Sequence, residues 1–311
     1  MTSRVYGVDG HLAHDPATGL THHAPHPLPT GRWSGDPAEV NRWPVVAPDQ
    51  HARSQPASIC WSPIVRCNLH CPHCLDDTSV RELSPADRNR IAQILASSDI
   101  LGVDISGGEP LLLKDLPDLV RTVTTGGRAA VSITTNGTHL QRRVPHLAGV
   151  VDAIRVSLDG ATEATHDRLR GTGSFTHAIT GIRAAVQTGV CVQIQTVLMV
   201  TNQPETQRMI DLAHDLGVNG LTLLQMLPIG AGLHQQNQML TDVAALDHVH
   251  RLHIPDPLRV RLRTRELAGG FTIVRADGRI WRNDQRGLTI AGLKPLTTPA
   301  DLTLTAKDGS A

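Results

Sequence analysis

Six short apolar runs recur along the middle of the chain, and each is followed by a segment of helical or weakly helical character. The runs cover residues 58–65, 100–106, 129–136, 152–160, 190–200 and 220–228. The first helix is predicted after Ser84 and Pro85, which suit the N-cap and the first helical position. Strand–helix units in series predict an α/β fold with a parallel sheet and right-handed crossovers. Because there are six units rather than eight, we predict a partial (β/α)6 barrel.

The two ends of the chain lack this rhythm. Residues 1–55 are rich in Pro, His, Gly and Asp without a sustained period, so we predict an irregular arm there. From residue 255 onward the segments become strand-like and are separated by turns, which predicts a small C-terminal β-containing appendage. The predicted domains are therefore an arm over 1–55, a barrel core over 56–254 and an appendage over 255–311.

Composition narrows the class of protein. Hydrophobic residues make up 40% and charged residues 19%, as expected for a globular chain. Lys+Arg and Asp+Glu both count 29 and aromatic residues are only 2%, which disfavours nucleic acid as a partner. The sequence has no apolar run near the roughly 18 to 20 residues of a membrane span. We expect no membrane partner, no secretory signal in the first 30 residues, and a cytoplasmic location.

Three of the five cysteines stand within eight residues: Cys67, Cys71 and Cys74. This C-x3-C-x2-C loop follows the first predicted strand. Three thiolates so close can ligate three corners of a [4Fe–4S] cluster and leave one iron open to another ligand. The alternative is a zinc site completed by His70 or His73. An odd cysteine count with this clustering is not typical of a disulfide framework.

Further motifs stand at the ends of successive predicted strands. Ser106–Pro110 reads SGGEP, Thr134–Gly137 reads TTNG, and Ser157–Gly160 reads SLDG and is followed by HDRLRG over 166–171. With the cysteine loop, this order resembles the radical S-adenosylmethionine (SAM) superfamily over about residues 58–230. The resemblance implies a [4Fe–4S] cluster and SAM as cofactors, and a flavodoxin or ferredoxin-type reductant.

The resemblance also implies which residues contact the cofactors. Glu109 would accept a hydrogen bond from the SAM amine, Ser157 and Arg170 would contact the SAM carboxylate, and His73 would lie beside the adenine. The full implied set of SAM-binding residues is His73, Gly107, Gly108, Glu109, Asn136, Ser157 and Arg170.

Alternation along later strands predicts the substrate cavity. Cys191, Gln193 and Gln195 share one face of the fifth strand, and outward faces of a β/α barrel should be apolar. We therefore place Gln193 and Gln195 in the lumen, with a solvent-exposed rim as the alternative. Further substrate-binding candidates are Gln225, Met226 and Arg263. Cys191 is a candidate hydrogen donor, although a buried structural cysteine is the commoner identity.

Arginines alternate over 259–265, which gives two open interpretations. Such a row could meet an anionic substrate, or it could protect a solvated edge strand by charge.

No cysteine follows Cys191, so the chain offers no ligands for auxiliary clusters. Net oxidation of a substrate is then harder to arrange. We predict a redox-neutral or reductive reaction, such as decarboxylation, epimerisation or dehydration. The expected substrate is a small polar, anionic metabolite (a sugar, nucleoside or amino-acid derivative) in natural-product biosynthesis. The alternatives are modification of a ribosomally made peptide, or a non-catalytic Fe–S or zinc-binding protein.

Overall fold

A long mixed sheet dominates the computed structural model, which describes residues 3–47, 53–75, 79–265, 271–282 and 292–304. The strands are β1 (Arg4–Asp15), β2 (Leu20–Gly35), β3 (Ser58–Trp61), β4 (Gly102–Ile105), β5 (Ala130–Thr135), β6 (Ala153–Ser157), β7 (Cys191–Leu198), β8 (Gly220–Gln225), β9 (Arg259–Arg263), β10 (Thr272–Val274), β11 (Arg279–Arg282) and β12 (Lys294–Pro295). The helices are α1 (Pro37–Val40), α2 (Pro85–Ala96), α3 (Leu116–Thr124), α4 (Leu140–Arg143), α5 (Glu163–Arg170), α6 (Ser174–Gln187), α7 (Thr206–Asp215) and α8 (Asp242–His250).

Ten strands form the main sheet in the order β12-β11-β10-β3-β4-β5-β6-β7-β8-β9. The eight strands from β10 to β9 are parallel to their neighbours, while β11 and β12 are antiparallel. β3 to β8 correspond to the six predicted strands. Since β9 and β12 are the edges of this sheet among the described residues, the sheet is an open, partial barrel, which confirms the predicted fold class.

Alternation along the strands separates two faces of this sheet. On β5, Val131 and Ile133 join the main apolar core, which the outer helices cover. The residues that alternate with them, Ser132 and Thr134, donate hydrogen bonds of 2.9 to 3.1 Å to the carboxylate of Asp104 on β4. We call this inner, polar face of the sheet the lumen. The first long helix begins as predicted, with the Ser84 hydroxyl accepting from Asp87 N at 3.2 Å.

The prediction of an irregular N-terminal arm is wrong for residues 4–35. β1 and β2 pair as an antiparallel hairpin with its own small core, which includes Tyr6, Val8 and Trp43. The hairpin packs on the N-terminal end of β4, where a Cβ on Gly102 would lie 2.1 Å from the His14 ring. The many Pro, His and Gly residues of this segment hide any alternation of apolar and polar positions. The burial of its strands also depends on contact with the barrel, which the local sequence does not show.

The C-terminal segment forms strands as predicted, but they extend the main sheet instead of standing apart from it. β9 pairs with β8, whereas β10 pairs with β3 at the other side of the barrel. The Arg263 guanidinium lies 5.8 Å from the Phe271 ring centre, so the two sides approach each other. Among the described residues, no helix is both long and apolar enough to cross a membrane.

Candidate active site

The cysteine loop begins at the C-terminal end of β3, where active sites of parallel β/α folds lie. The loop is fixed just before its first cysteine. The Glu82 carboxylate accepts from the backbone N of Val65 at 3.1 Å and of Arg66 at 2.9 Å, and it pairs with the Arg66 side chain at 3.0 Å. Cys67, Cys71 and Cys74 are partly buried.

The two glycines after β4 allow this loop to pass close to them. Gly108 N donates to Ile64 O at 2.8 Å, and a Cβ on Gly108 would lie 2.3 Å from Arg66 O. Gly107 has a φ of 108°, and its Cβ would lie 2.3 Å from Ile64 O. These glycines therefore allow a close backbone approach to the cysteine loop.

Glu109 has a different position from the one its predicted role requires. Its carboxylate is fully buried and accepts from Leu111 N at 2.9 Å, the Thr135 hydroxyl at 2.7 Å and Asn136 N at 2.8 Å. Burial raises the pKa of Glu109, although these hydrogen bonds oppose that effect. Because the carboxylate is enclosed, the prediction that it accepts from the SAM amine is not supported. Glu109 instead joins the loops after β4 and β5.

Asn136 reaches the cysteine loop from the end of β5. Its Nδ2 donates to Asn68 Oδ1 at 3.0 Å and lies 3.7 Å from Cys67 Sγ, within hydrogen-bonding distance of sulfur. Its Oδ1 accepts from Thr138 N at 2.9 Å. A donor beside a thiolate ligand stabilises its negative charge, so the structure favours a role for Asn136 toward the cluster.

Asp159 is the functional residue that the sequence reasoning missed. It follows β6 and is fully buried. Its Oδ2 lies 2.5 Å from Arg170 Nε and 3.0 Å from His73 Nε2, and its Oδ1 accepts from Val197 N at 2.8 Å. Burial raises the pKa of Asp159, but Arg170 and His73 more than offset this and hold it well below its usual range.

The Asp159 carboxylate thereby connects the cysteine loop, the end of β6 and the end of α5. His73 is one residue before the third cysteine, and Arg170 is the last residue of α5. Arg170 donates to Asp159 through its Nε. The predicted roles of Ser157, Arg170 and His73 in SAM binding stay predictions.

A buried histidine completes this region. The Nδ1 of His166 accepts from Asp159 N at 3.1 Å, which requires that nitrogen to be unprotonated. Burial lowers the pKa of His166 to about 4.

We expect protonation of His166 to weaken the fold in acid. The unfolded chain would protonate this histidine near pH 6.5 and the folded chain only near 4, so stability present above 6.5 is lost as the pH falls between these values. His166→Asn, whose amide oxygen can still accept from Asp159, should remove about 2 kcal/mol of the loss between pH 7 and 5. Denaturant unfolding across this range measures it. An unchanged pH slope in the variant would contradict the assignment.

The chemistry of the loop fits a cluster with three thiolate ligands. Burial raises the pKa of Cys71 to about 11, with the nearby Arg170 acting in the opposite direction. A thiol of this kind becomes a thiolate when a metal binds it. In the described part of the chain, no three potential ligands are close enough together to hold a single metal ion. His73, one zinc ligand considered above, is paired with Asp159.

The lumen brings together some of the predicted substrate residues. Gln193 lies on the inner face of β7, and a Cβ on Gly220 would lie 2.6 Å from its Oε1. Gln195 follows on the same face and is paired in register with Ser157. Met226 is buried against Leu169 beside the end of α5. These three assignments stay predictions.

Gln225 does not line the lumen, so that prediction is wrong. Its Nε2 donates to Leu240 O at 3.0 Å and Asp242 Oδ1 at 2.7 Å, and its Oε1 accepts from Arg265 N at 2.9 Å. Gln225 shares the outward face of β8 with Leu221 and Leu223. It therefore fixes the start of α8.

Cys191 lies at the opposite end of the sheet from the cysteine loop, because it is the first residue of β7. Burial raises its pKa to about 11, and Arg4 and Asp15 of the hairpin are its neighbours. This position does not support the predicted hydrogen donor and is that of a structural cysteine.

Comparison with known proteins defines the family. A model of the Radical SAM superfamily matches residues 61–224, just over half of the chain. The chain belongs to the radical SAM superfamily. This radical SAM enzyme therefore uses a [4Fe–4S] cluster and SAM. The match includes all three cysteines of the loop and confirms the resemblance drawn from the motifs.

Curated relatives are similar over the same region. A probable GTP 3',8-cyclase of Metallosphaera sedula is 30% identical over 172 residues, which are 53% of this chain and 54% of that protein. A probable GTP 3',8-cyclase of Saccharolobus islandicus is 34% identical over 172 residues, 53% of this chain and 56% of that protein. The chain thus spans about half the length of these relatives.

Solved structures show the same fold. SuiB of Streptococcus suis, bound to its precursor peptide SuiA, aligns with a TM-score of 0.61 at 16% identity, covering 73% of this chain and 59% of that one. The structure of anSMEcpe with bound AdoMet aligns with a TM-score of 0.55 at 17% identity, covering 81% and 79%. At these identities the likeness extends to the fold alone.

Proposed function

We propose that this radical SAM enzyme abstracts hydrogen from a small polar, anionic metabolite bound in the lumen, with a redox-neutral or reductive outcome. One observation carries the proposal: polar and charged side chains line the lumen below the cysteine loop. Asp104, Ser132 and Thr134 are joined by hydrogen bonds, and Arg155 pairs with Asp104 at 3.1 Å. Such a surface suits a polar substrate.

A bound [4Fe–4S] cluster, supplied with an electron by a flavodoxin or ferredoxin-type reductant, would provide with SAM the radical chemistry that removes a hydrogen atom from the substrate. The residues of the chain hold these parts in place. Cys67, Cys71 and Cys74 ligate the cluster. Arg170, held through its Nε by Asp159, would donate from its terminal nitrogens to the SAM carboxylate.

The position of the N-terminal hairpin favours a small molecule as the substrate. Its turn closes the end of the lumen opposite the cysteine loop, where Arg155 Nε donates to Ala17 O at 3.1 Å. The hairpin packs on the barrel at Gly102 and Arg155, which favours a small substrate over the alternative of a modified peptide. Decarboxylation, epimerisation and dehydration are the reactions to test. The named activity of the curated relatives makes nucleotides the first candidates.

Anaerobic reconstitution tests this function. The cluster-loaded enzyme is mixed with SAM and dithionite, and 5'-deoxyadenosine is measured by mass spectrometry with and without candidate anionic metabolites. We expect formation by the wild type, stimulation by the substrate, and none from a variant with Cys67, Cys71 and Cys74 replaced by Ala. A full cluster and bound SAM without any 5'-deoxyadenosine would favour the non-catalytic alternative.

A further inference from the structure

Three arginines point into the lumen from two strands. Arg155 lies on β6 between Ile154 and Val156, which belong to the outer apolar core. Arg261 and Arg263 alternate on β9 with Val260 and Leu262, which also pack toward that core. The apolar face of each strand therefore fixes the arginines on the inner side.

The hairpin turn offers neutral hydrogen-bond acceptors to two of these arginines. Arg155 donates to Pro16 O and Ala17 O, and Arg261 donates to Thr18 O. These carbonyls satisfy N–H donors but supply no negative charge. Within the described residues, Arg155 alone of the three has a carboxylate partner, Asp104 at 3.1 Å.

Arg263 differs from both. Within residues 3–47, 53–75, 79–265, 271–282 and 292–304, no carboxylate oxygen lies within 4.0 Å of its guanidinium, and no hydrogen bond of this group is found. Its one identified contact is the face of the Phe271 ring, at 5.8 Å. Arg263 is the last residue of β9, at the end of the sheet from which the cysteine loop departs.

Among the residues that the structure describes, this face of the lumen therefore carries more positive than negative charge. Burial lowers the pKa of Arg261 to about 10, and Arg263 and Arg155 add to this effect. Burial and Arg155 likewise lower the pKa of Arg263, while Cys60 and Asp104 act in the opposite direction. Asp15, which also acts on Arg261, is paired with Arg4 at 2.8 Å. An uncompensated group of like charges in a partly desolvated space is costly for a protein unless an anion joins it.

We propose that Arg263 is the centre of an anion-binding subsite in the lumen, supported from below by Arg155 and Arg261, which takes a carboxylate or phosphate group of the substrate. The planar fork of a guanidinium binds either group through two parallel hydrogen bonds. This inference rests on the proposed function, since it assigns one end of the substrate of the same enzyme. For Arg263, it also favours contact with an anionic substrate over protection of a solvated edge strand.

Calorimetric titration tests the subsite on the cluster-loaded enzyme saturated with SAM and without reductant. Inorganic phosphate and succinate are titrated separately at constant ionic strength. SAM occupies the site predicted around Arg170, so that the probes report on the lumen. No radical forms under these conditions, so the result is independent of whether the proposed reaction occurs.

We expect the wild type to bind at least one probe and Arg263→Gln to bind it about tenfold more weakly or not at all. The matched control is Arg259→Gln on the same strand, which is exposed and should bind like the wild type. Arg263→Lys, which keeps the charge but loses the fork, should fall between them and guards against misfolding of the glutamine variant. Tighter phosphate binding indicates a phosphorylated substrate, and tighter succinate binding a carboxylate. Wild-type protein that binds neither anion, or Arg263→Gln that binds as tightly as wild type, would overturn the proposal.

Discussion

Replacement of Asp159 by Asn is expected to destabilise the protein by about 3 to 5 kcal/mol and to weaken SAM binding about 100-fold. The carboxylate is fully buried between Arg170 at 2.5 Å and His73 at 3.0 Å. Its removal leaves the Arg170 guanidinium uncompensated and releases its Nε. The terminal nitrogens predicted to hold the SAM carboxylate then lose their fixed direction.

The chain offers a matched control for this change. Asp15 is also fully buried and pairs with Arg4 at 2.8 Å, but it lies in the hairpin at the opposite end of the sheet. Asp15→Asn should cause a comparable loss of unfolding free energy without altering SAM affinity. Denaturant unfolding and calorimetric titration with SAM measure the two effects. If both variants bind SAM as the wild type does, Asp159 stabilises the fold only and Arg170 needs no fixed orientation.

How much of the fold and of the site could be predicted from the sequence depends on whether the contacts involved are local or distant along the chain. β3 to β8 were predictable because their alternation is local and their outer positions, such as Val131 and Ile133, are apolar. The cysteine loop was predictable because the close spacing of its three thiols directly indicates that they can ligate a cluster. Asp159 was missed because an aspartate after a strand resembles a turn residue, while its partner His73 is distant in sequence.

Two other errors also arise from tertiary contacts. The alternation along β8 predicts that Gln225 faces outward, whereas its polar side chain suggested a position in the lumen. In the structure, the Gln225 amide donates instead to Leu240 O and Asp242 Oδ1 at the start of α8. The hairpin was missed because its strands are buried only through contact with the barrel, as at Gly7, whose Cβ would lie 1.8 Å from Leu101 O. Neither contact leaves a local pattern in the sequence.

The second large effect is expected at Gly108, where backbone packing limits the cysteine loop. A Cβ there would lie 2.3 Å from Arg66 O and 2.4 Å from Val65 O, and backbone atoms cannot move aside as a flexible side chain can. Gly108→Ala should displace the segment before Cys67 and lose iron on reconstitution, with a destabilisation of about 3 kcal/mol. Iron content and the electron paramagnetic resonance signal of the reduced protein measure the loss.

Gly149→Ala provides the control for Gly108→Ala, since it separates crowding from backbone strain. Gly149 has a φ of 76°, but nothing lies within 4 Å of its would-be Cβ. Alanine there should cost only about 1 to 2 kcal/mol and leave the iron content unchanged, because the left-handed backbone is strained without any steric contact. If Gly108→Ala took up a full cluster with the wild-type signal, cluster binding would not require the close passage of the loop over Gly108. Loss of iron in that variant alone would mean that the glycines after β4 act on the cluster through the path of the chain before Cys67.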